Sequence, residues 1–117
     1  MPTVLVVEDE TLIRELIAEE LEEAGYSVVV ATNADQAIAI LEARQDIHLV
    51  FTDIDMPGSM DGLRLVRVVR SRWPPVALIV TSGQRGLSAA DLPPGGRFLS
   101  KPYEHSHLET VLRELIP

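Results

Sequence analysis

The chain has 117 residues, 46% hydrophobic and 24% charged, with a formal net charge of −8 and no cysteine. That length makes one ordinary domain with a real core and excludes a second of similar size; the acidity argues against direct nucleic-acid binding, where affinity comes mostly from neutralised phosphates. Thiol chemistry is excluded, the N-terminus does not read as a signal peptide, and no apolar stretch approaches the roughly 18–20 residues of a membrane span, so a soluble, cytoplasmic protein is expected.

The first apolar run, Val4–Val7, stops at Glu8-Asp9. Leu12, Ile13, Leu16, Ile17, Leu21 and Ala24 then recur at helical spacing, and Gly25 supplies a C-terminal stop. Val28–Val30 is a second strand, and Asn33 precedes a helix carrying Ala37, Ile38 and Leu41, with Gln36 placed to close a capping box. Leu49–Phe51 is a third strand, ending through Thr52 at Asp53. Met56-Pro57-Gly58 reads as a turn, and Asp61 caps a third helix with Leu63, Val66 and Val69 on one side, which ends before Trp73-Pro74-Pro75. Val76–Val80 is a fourth strand running into Thr81-Ser82.

The stretch from Gly83 to Arg97 holds Gly86, Pro93-Pro94 and Gly95-Gly96 around a modest helical possibility, Leu87–Leu92, so the fourth helix is short or degenerate. Phe98-Leu99 is a fifth strand, stopping at Lys101-Pro102; Ser106 and Glu109 form a capping box for a last helix with Leu108, Val111, Leu112 and Leu115 inward. Near-continuous Val, Ile, Leu and Phe runs are how parallel strands buried on both faces read. The alternation of strands with helices gives an α/β fold, a doubly wound five-stranded parallel sheet with helices on both faces.

In such folds ligands bind at the carboxyl ends of the strands. Glu8, Asp9 and Asp53 converge there with Thr81 or Ser82 and with Lys101, the only lysine in the chain. Three close carboxylates repel unless a cation intervenes, and a hard ion with oxygen ligands such as Mg²⁺ fits best. A carboxylate beside Mg²⁺ can attack phosphorus to give an aspartyl phosphate. The metal would then neutralise one phosphoryl oxygen and Lys101 a second, while a Ser82 or Thr81 hydroxyl holds the third. Any one of these residues alone would read as turn, cap or surface; their coincidence at four strand ends carries the reading. His105 and His107 receive no such support and read as surface.

These residues resemble the receiver domain of bacterial two-component response regulators over the whole chain. Glu8-Asp9 is similar to its acidic pair, Thr52-Asp53-Ile54-Asp55-Met56-Pro57-Gly58 to its phosphoacceptor loop, and Met60-Asp61-Gly62 to that loop's continuation. Val80-Thr81-Ser82-Gly83 is similar to the switch-hydroxyl motif, and Phe98-Leu99-Ser100-Lys101-Pro102-Tyr103 to the lysine-proline motif. The resemblance implies a flavodoxin-like sheet of order 2-1-3-4-5, and a phosphoryl group accepted by Asp53 from the phosphohistidine of a histidine kinase or phosphotransfer protein. It implies Mg²⁺ on Asp9 and Asp53, Glu8 helping through water, and the backbone carbonyl of Asp55 as a further ligand. Ser82, which precedes Gly83, matches the switch hydroxyl better than Thr81, with Phe98 following it by a change of rotamer. Output is then protein–protein binding by a single receiver domain over residues 1–117, and the domain is no enzyme beyond its own phosphorylation and dephosphorylation. The downstream target is unidentified, and a second copy of the chain is a candidate partner.

The loop Met-Pro-Gly-Ser-Met-Asp-Gly is one residue longer than the commoner family version. Asp55 puts a carboxylate where a hydrolytic water approaches, so it and Gln84 are expected to set the lifetime of the phosphate. Two other readings use the same residues. A haloacid dehalogenase-type phosphatase would use Asp53-Ile54-Asp55 as its Asp-x-Asp, but that motif belongs near the start of its fold and a further acidic pair belongs after the lysine. A receiver-like module that binds partners without being phosphorylated is the other.

Overall fold

The computed structural model describes residues 1–54, 61–83 and 88–116. Five strands, β1 (Thr3–Val7), β2 (Ser27–Ala31), β3 (Ile47–Asp53), β4 (Ala77–Ser82) and β5 (Arg97–Ser100), alternate with four helices, α1 (Thr11–Glu23), α2 (Ala34–Ala43), α3 (Gly62–Arg72) and α4 (His105–Leu115). The strands form one parallel sheet of order β2-β1-β3-β4-β5, the expected doubly wound arrangement. Between β4 and β5 the described residues hold only a single 3₁₀ turn, Ala89–Asp91. Of the expected helical possibility Leu87–Leu92, Leu87 lies outside the described residues and the rest holds that turn.

Strand alternation sorts the core into two layers. Leu5, Val7, Val50, Leu78 and Val80 pack with α2 and α3, through Ala37, Leu41, Leu65, Val66 and Val69. Val4, Val6, Leu49, Phe51, Ile79 and Leu99 pack with α1 and α4, through Ile17, Leu21, Leu108, Val111 and Leu112. His48 is the extra residue of a bulge in the β1–β3 pairing, where Thr3 faces Ile47 and Val4 faces Leu49. Its Nδ1 accepts the Thr3 amide at 3.0 Å, which satisfies the donor that the bulge removes from the ladder.

The helix termini follow their chemistry, with two corrections. Gly25 (φ 100°) closes α1, with Gly25 N–H on Glu22 O and Tyr26 N–H on Leu21 O, the two bonds of a Schellman cap. Asn33 caps α2 by accepting the Gln36 amide, but Gln36 Oε1 reaches back to Thr32 N–H and not to Asn33. The Ser106–Glu109 capping box is not formed. Helix α4 begins one residue before Ser106, at His105, and its N-cap is Glu104, which makes no side-chain cap. Ser106 lies inside the first turn, where its carbonyl accepts the Thr110 hydroxyl.

The helical periodicity of α1 also overstates its buried face. Ile17 and Leu21 are buried, whereas Leu12 and Leu16 are 68% and 57% exposed. On α3 the residue missing from the sequence pattern is Leu65, fully buried, while Leu63 is only half-buried. Leu21→Ala is therefore expected to cost about 3 kcal/mol in urea unfolding, whereas Leu12→Ala on the same helix costs under about 0.5 kcal/mol.

Candidate functional site

The carboxyl ends of β1, β3, β4 and β5 are tied together by backbone as well as side chains. Glu8 extends β1 by one rung, its N–H donating to Ala31 O, and Arg14 of α1 donates to Glu8 O at 2.9 Å. At the end of β3, Ile54 N–H donates to Thr81 O, and Gly62 N–H, first in α3, donates to Ile54 O. Lys101 N–H donates to Ser82 O at 3.0 Å and carries β5 onto the end of β4.

Asp53 is 6% exposed. Lys101 reaches it across β4, placing Nζ 2.5 Å from Asp53 Oδ2. A buried carboxylate is costly unless it is paired, and Lys101 supplies that pairing at the strand end. Thr81 and Ser82 are buried beside it, and Thr81 is the register partner of Asp53. Glu8 is buried as well. Its burial, with the Asp9 carboxyl in hydrogen-bond contact and Asp53 adding repulsion, pushes its pKa from 4.5 up to about 7, although the Glu10 amide and Lys101 pull it down. Asp9 is exposed, and among the described residues no three His, Cys, Asp or Glu side chains already form a metal cage. Asp55 and Gln84, expected as a metal ligand and as determinants of phosphate lifetime, lie outside the described residues, as does the turn Met56-Pro57-Gly58. Phe98 is half-buried and packs on the α2–α3 layer.

Three features escaped the sequence reading. A Cβ at Gly62 would stand 2.2 Å from Asp53 O and 2.7 Å from Ile54 Cα, so only glycine lets α3 start against the end of β3. A glycine just inside a helix cap, where helix propensity argues against it, was the available signal. Tyr103 stands edge-on to Phe51 with centroids 6.3 Å apart, and burial, aided by the carboxylates of Glu20, Glu8 and Asp53, pushes its hydroxyl up to about 12. His105, at the start of α4, places Nδ1 2.6 Å from Glu20 Oε1 of α1. Ile13, Leu16, Ile17 and Glu20 line a groove of about 480 Å³ with Lys101, Pro102, Tyr103 and His105, so His105 borders the strand-end region instead of standing apart from it.

Compared with known proteins, residues 4–113 match the family model of the response regulator receiver domain. The chain belongs to this family. Receivers are the phosphoryl-accepting domains of two-component systems, and this membership sets the dehalogenase-type phosphatase aside. The chain is 35% identical over 112 residues to the nitrogen assimilation regulatory protein NtrX of Azorhizobium caulinodans, covering 92% of this chain and 24% of that protein. It is 35% identical over 114 residues to a putative NtrX-like response regulator of Rickettsia bellii, covering 94% of this chain and again 24% of the other. This receiver thus spans about a quarter of the length of the curated relatives it matches. Among solved structures, a receiver domain protein of Clostridium thermocellum superposes with a TM-score of 0.91 at 26% identity, covering 99% of this chain and 94% of that one. The response regulator TrrA of Thermotoga maritima, solved in complex with Mg²⁺ and BeF, superposes with a TM-score of 0.85 at 29% identity, covering 98% and 99%.

Two outcomes follow for the receiver. Alanine normally stabilises a helix relative to glycine by up to about 1 kcal/mol, yet Gly62→Ala is expected to destabilise this one by about 2 kcal/mol or more in urea unfolding, because the new methyl meets backbone. Glu8 holds its proton longer in the folded chain than in the unfolded one, so its stabilisation is complete below pH 4.5 and is lost as pH rises through about 7. In EDTA, the melting temperature of wild type relative to Glu8→Gln is expected to fall by about 5 °C or more between pH 5 and pH 8.

Proposed function

We propose that Asp53 is the phosphoacceptor of this receiver, and that it takes its phosphoryl group from a phosphohistidine on a histidine kinase or phosphotransfer protein. The observation that carries this reading is the buried Asp53 carboxylate with Lys101 Nζ on Oδ2, beside the buried Ser82 hydroxyl and Glu8. The donor set fits Mg²⁺: oxygen ligands only, with Glu8 kept partly protonated at neutral pH by its burial and acidic neighbours. Asp9 and Asp53 would hold the ion, with Glu8 acting through water and the Asp55 carbonyl as a further ligand. When bound, it neutralises charge on the phosphoryl oxygens.

In the transfer, an Asp53 oxygen bonds to phosphorus as the P–N bond of the donor imidazole breaks, and the imidazole leaves with the electron pair. Lys101 moves from the carboxylate to a phosphoryl oxygen, keeping its charge opposite the charge that develops there. Ser82 donates its hydroxyl to another phosphoryl oxygen, with Thr81 the less suited hydroxyl, and Phe98 repacks as Ser82 moves. Asp55 and Gln84 then govern how fast water removes the phosphate. The donor protein must bring its imidazole to Asp53. The groove between α1 and the β5–α4 loop, lined by Leu16, Pro102 and Tyr103 and bordered by Lys101, suits such docking. The domain turns over no separate substrate. It works in the cytoplasm, and its output is binding to a downstream protein through the surface around β4 and β5.

Intact-mass measurement after incubation with Mg²⁺ and acetyl phosphate tests this reading. Wild type is expected to gain one phosphoryl group, labile to hydroxylamine, and Asp53→Asn none. An equal adduct on both would move the acceptor elsewhere. No adduct from acetyl phosphate or from phosphohistidine donors would favour a receiver that binds partners without phosphorylation.

A further inference from the structure

Two helix faces of this domain are left exposed by its own packing, and each carries what the other lacks. On α3, Arg64, Arg67 and Ser71 point outward, flanked by half-buried Leu63 and Val68. Arg72 is occupied by Glu42 and lies over the Trp73 ring, and Arg70 donates to Pro74 O. Arg64 and Arg67 make no side-chain hydrogen bond or ion pair among the described residues. They stand out in a chain whose net charge is −8.

On α1, Leu12 and Leu16 are 68% and 57% exposed. They lie at helical spacing among exposed Glu15, Glu19 and Glu23, which likewise form no ion pair among the described residues. The α1 face thus presents two apolar side chains among acidic charges, and the α3 face two beside Arg64 and Arg67, with Asp61 as the acidic residue at its N-terminal end. Spacings of three and four residues put each set on one side of its helix over a few turns.

We propose that these faces bind one another between copies of this chain, α1 of one molecule against α3 of the next. Leu12 and Leu16 meet Leu63 and Val68, while Glu15, Glu19 and Glu23 meet Arg64 and Arg67. The complementary surface is on the chain itself, which is why a second copy is the occupant. Within one molecule α1 packs on one layer of the sheet and α3 on the other, so both contacts cannot close within one pair. The contact is heterologous, and copies add head to tail into short open chains. Exposed ion pairs contribute only about 0.2–1 kcal/mol each, so the association is weak and concentration-dependent. The net repulsion between copies is screened beyond about 8 Å at physiological salt, while contacts at the interface are not. On the docking reading above, on which this consequence rests, association covers the α1 side of the groove beside Lys101, so self-association and phosphotransfer compete.

Sedimentation analysis of the unphosphorylated protein tests the contact without reference to phosphorylation. Wild type is expected to gain weight-average mass continuously past a dimer as concentration rises into the hundreds of micromolar. Arg64→Glu/Arg67→Glu and Glu15→Arg/Glu19→Arg are each expected to stay monomeric, with unchanged circular dichroism. An equimolar mixture of the two is expected to associate again, because each reversed face then finds its opposite. A wild type that remains monomeric over this range, a strict dimer, or a mixture that does not associate would overturn the proposal. A monomer whose α3 face instead binds an acidic peptide would assign that face to another protein.

Discussion

A carboxylate buried at the end of the central strand is the constraint on which the rest of this domain depends. Asp53 is buried, and the cost of burying a carboxylate there is offset by Lys101, reaching in from the edge strand β5. Lys101 can do so because its amide continues the ladder onto Ser82 O. The sheet order β2-β1-β3-β4-β5 sets β3 and β5 on either side of β4, so a side chain long enough to cross one strand is required. The pairing of Asp53 with Lys101 is thus a consequence of topology, and so is the presence of Thr81 and Ser82 between them.

The same constraint reaches outward along two routes. One runs through Gly62, whose lack of a side chain lets α3 start against the Asp53 carbonyl. The other runs from Lys101 through Pro102 to Tyr103, edge-on to Phe51, and to His105 beside Glu20. A change of charge at Asp53 that draws Lys101 away would therefore be felt in the β5–α4 loop and along α1. Between β4 and β5 the described residues hold one 3₁₀ turn and a Pro93–Gly96 turn, closed by Gly96 N–H on Pro93 O with Gly95 at φ 85°.

The sheet and the strand-end residues were legible because their signals are local. Continuous apolar runs mark strands buried on both faces, and the polar residue that stops each run is the one at the sheet edge. The reduction of the fourth helix over the described residues between β4 and β5 was legible for the same reason, since Pro and Gly punctuate locally. What could not be read depends on packing across the chain. Leu12 and Leu16 share the period of Ile17 and Leu21, but only the placement of α1 on the sheet decides which side of that stripe is covered. Glu104 occupies the N-cap position of α4 in place of Ser106, without a side-chain cap, because the path of the chain after Pro102 fixes where the helix begins. Gly62 and Tyr103 act through residues distant in sequence, Asp53 and Phe51, and their roles appear only once the strands are assembled.

The most direct measurement is a titration of the ¹⁵N-labelled protein with beryllofluoride in the presence of Mg²⁺, followed by amide NMR. The account predicts saturable shifts at Glu8, Asp9, Asp53, Ser82 and Lys101 that extend to Phe98 and Tyr103 and are absent in Asp53→Asn. An unchanged wild-type spectrum, or the same shifts in Asp53→Asn, would contradict it.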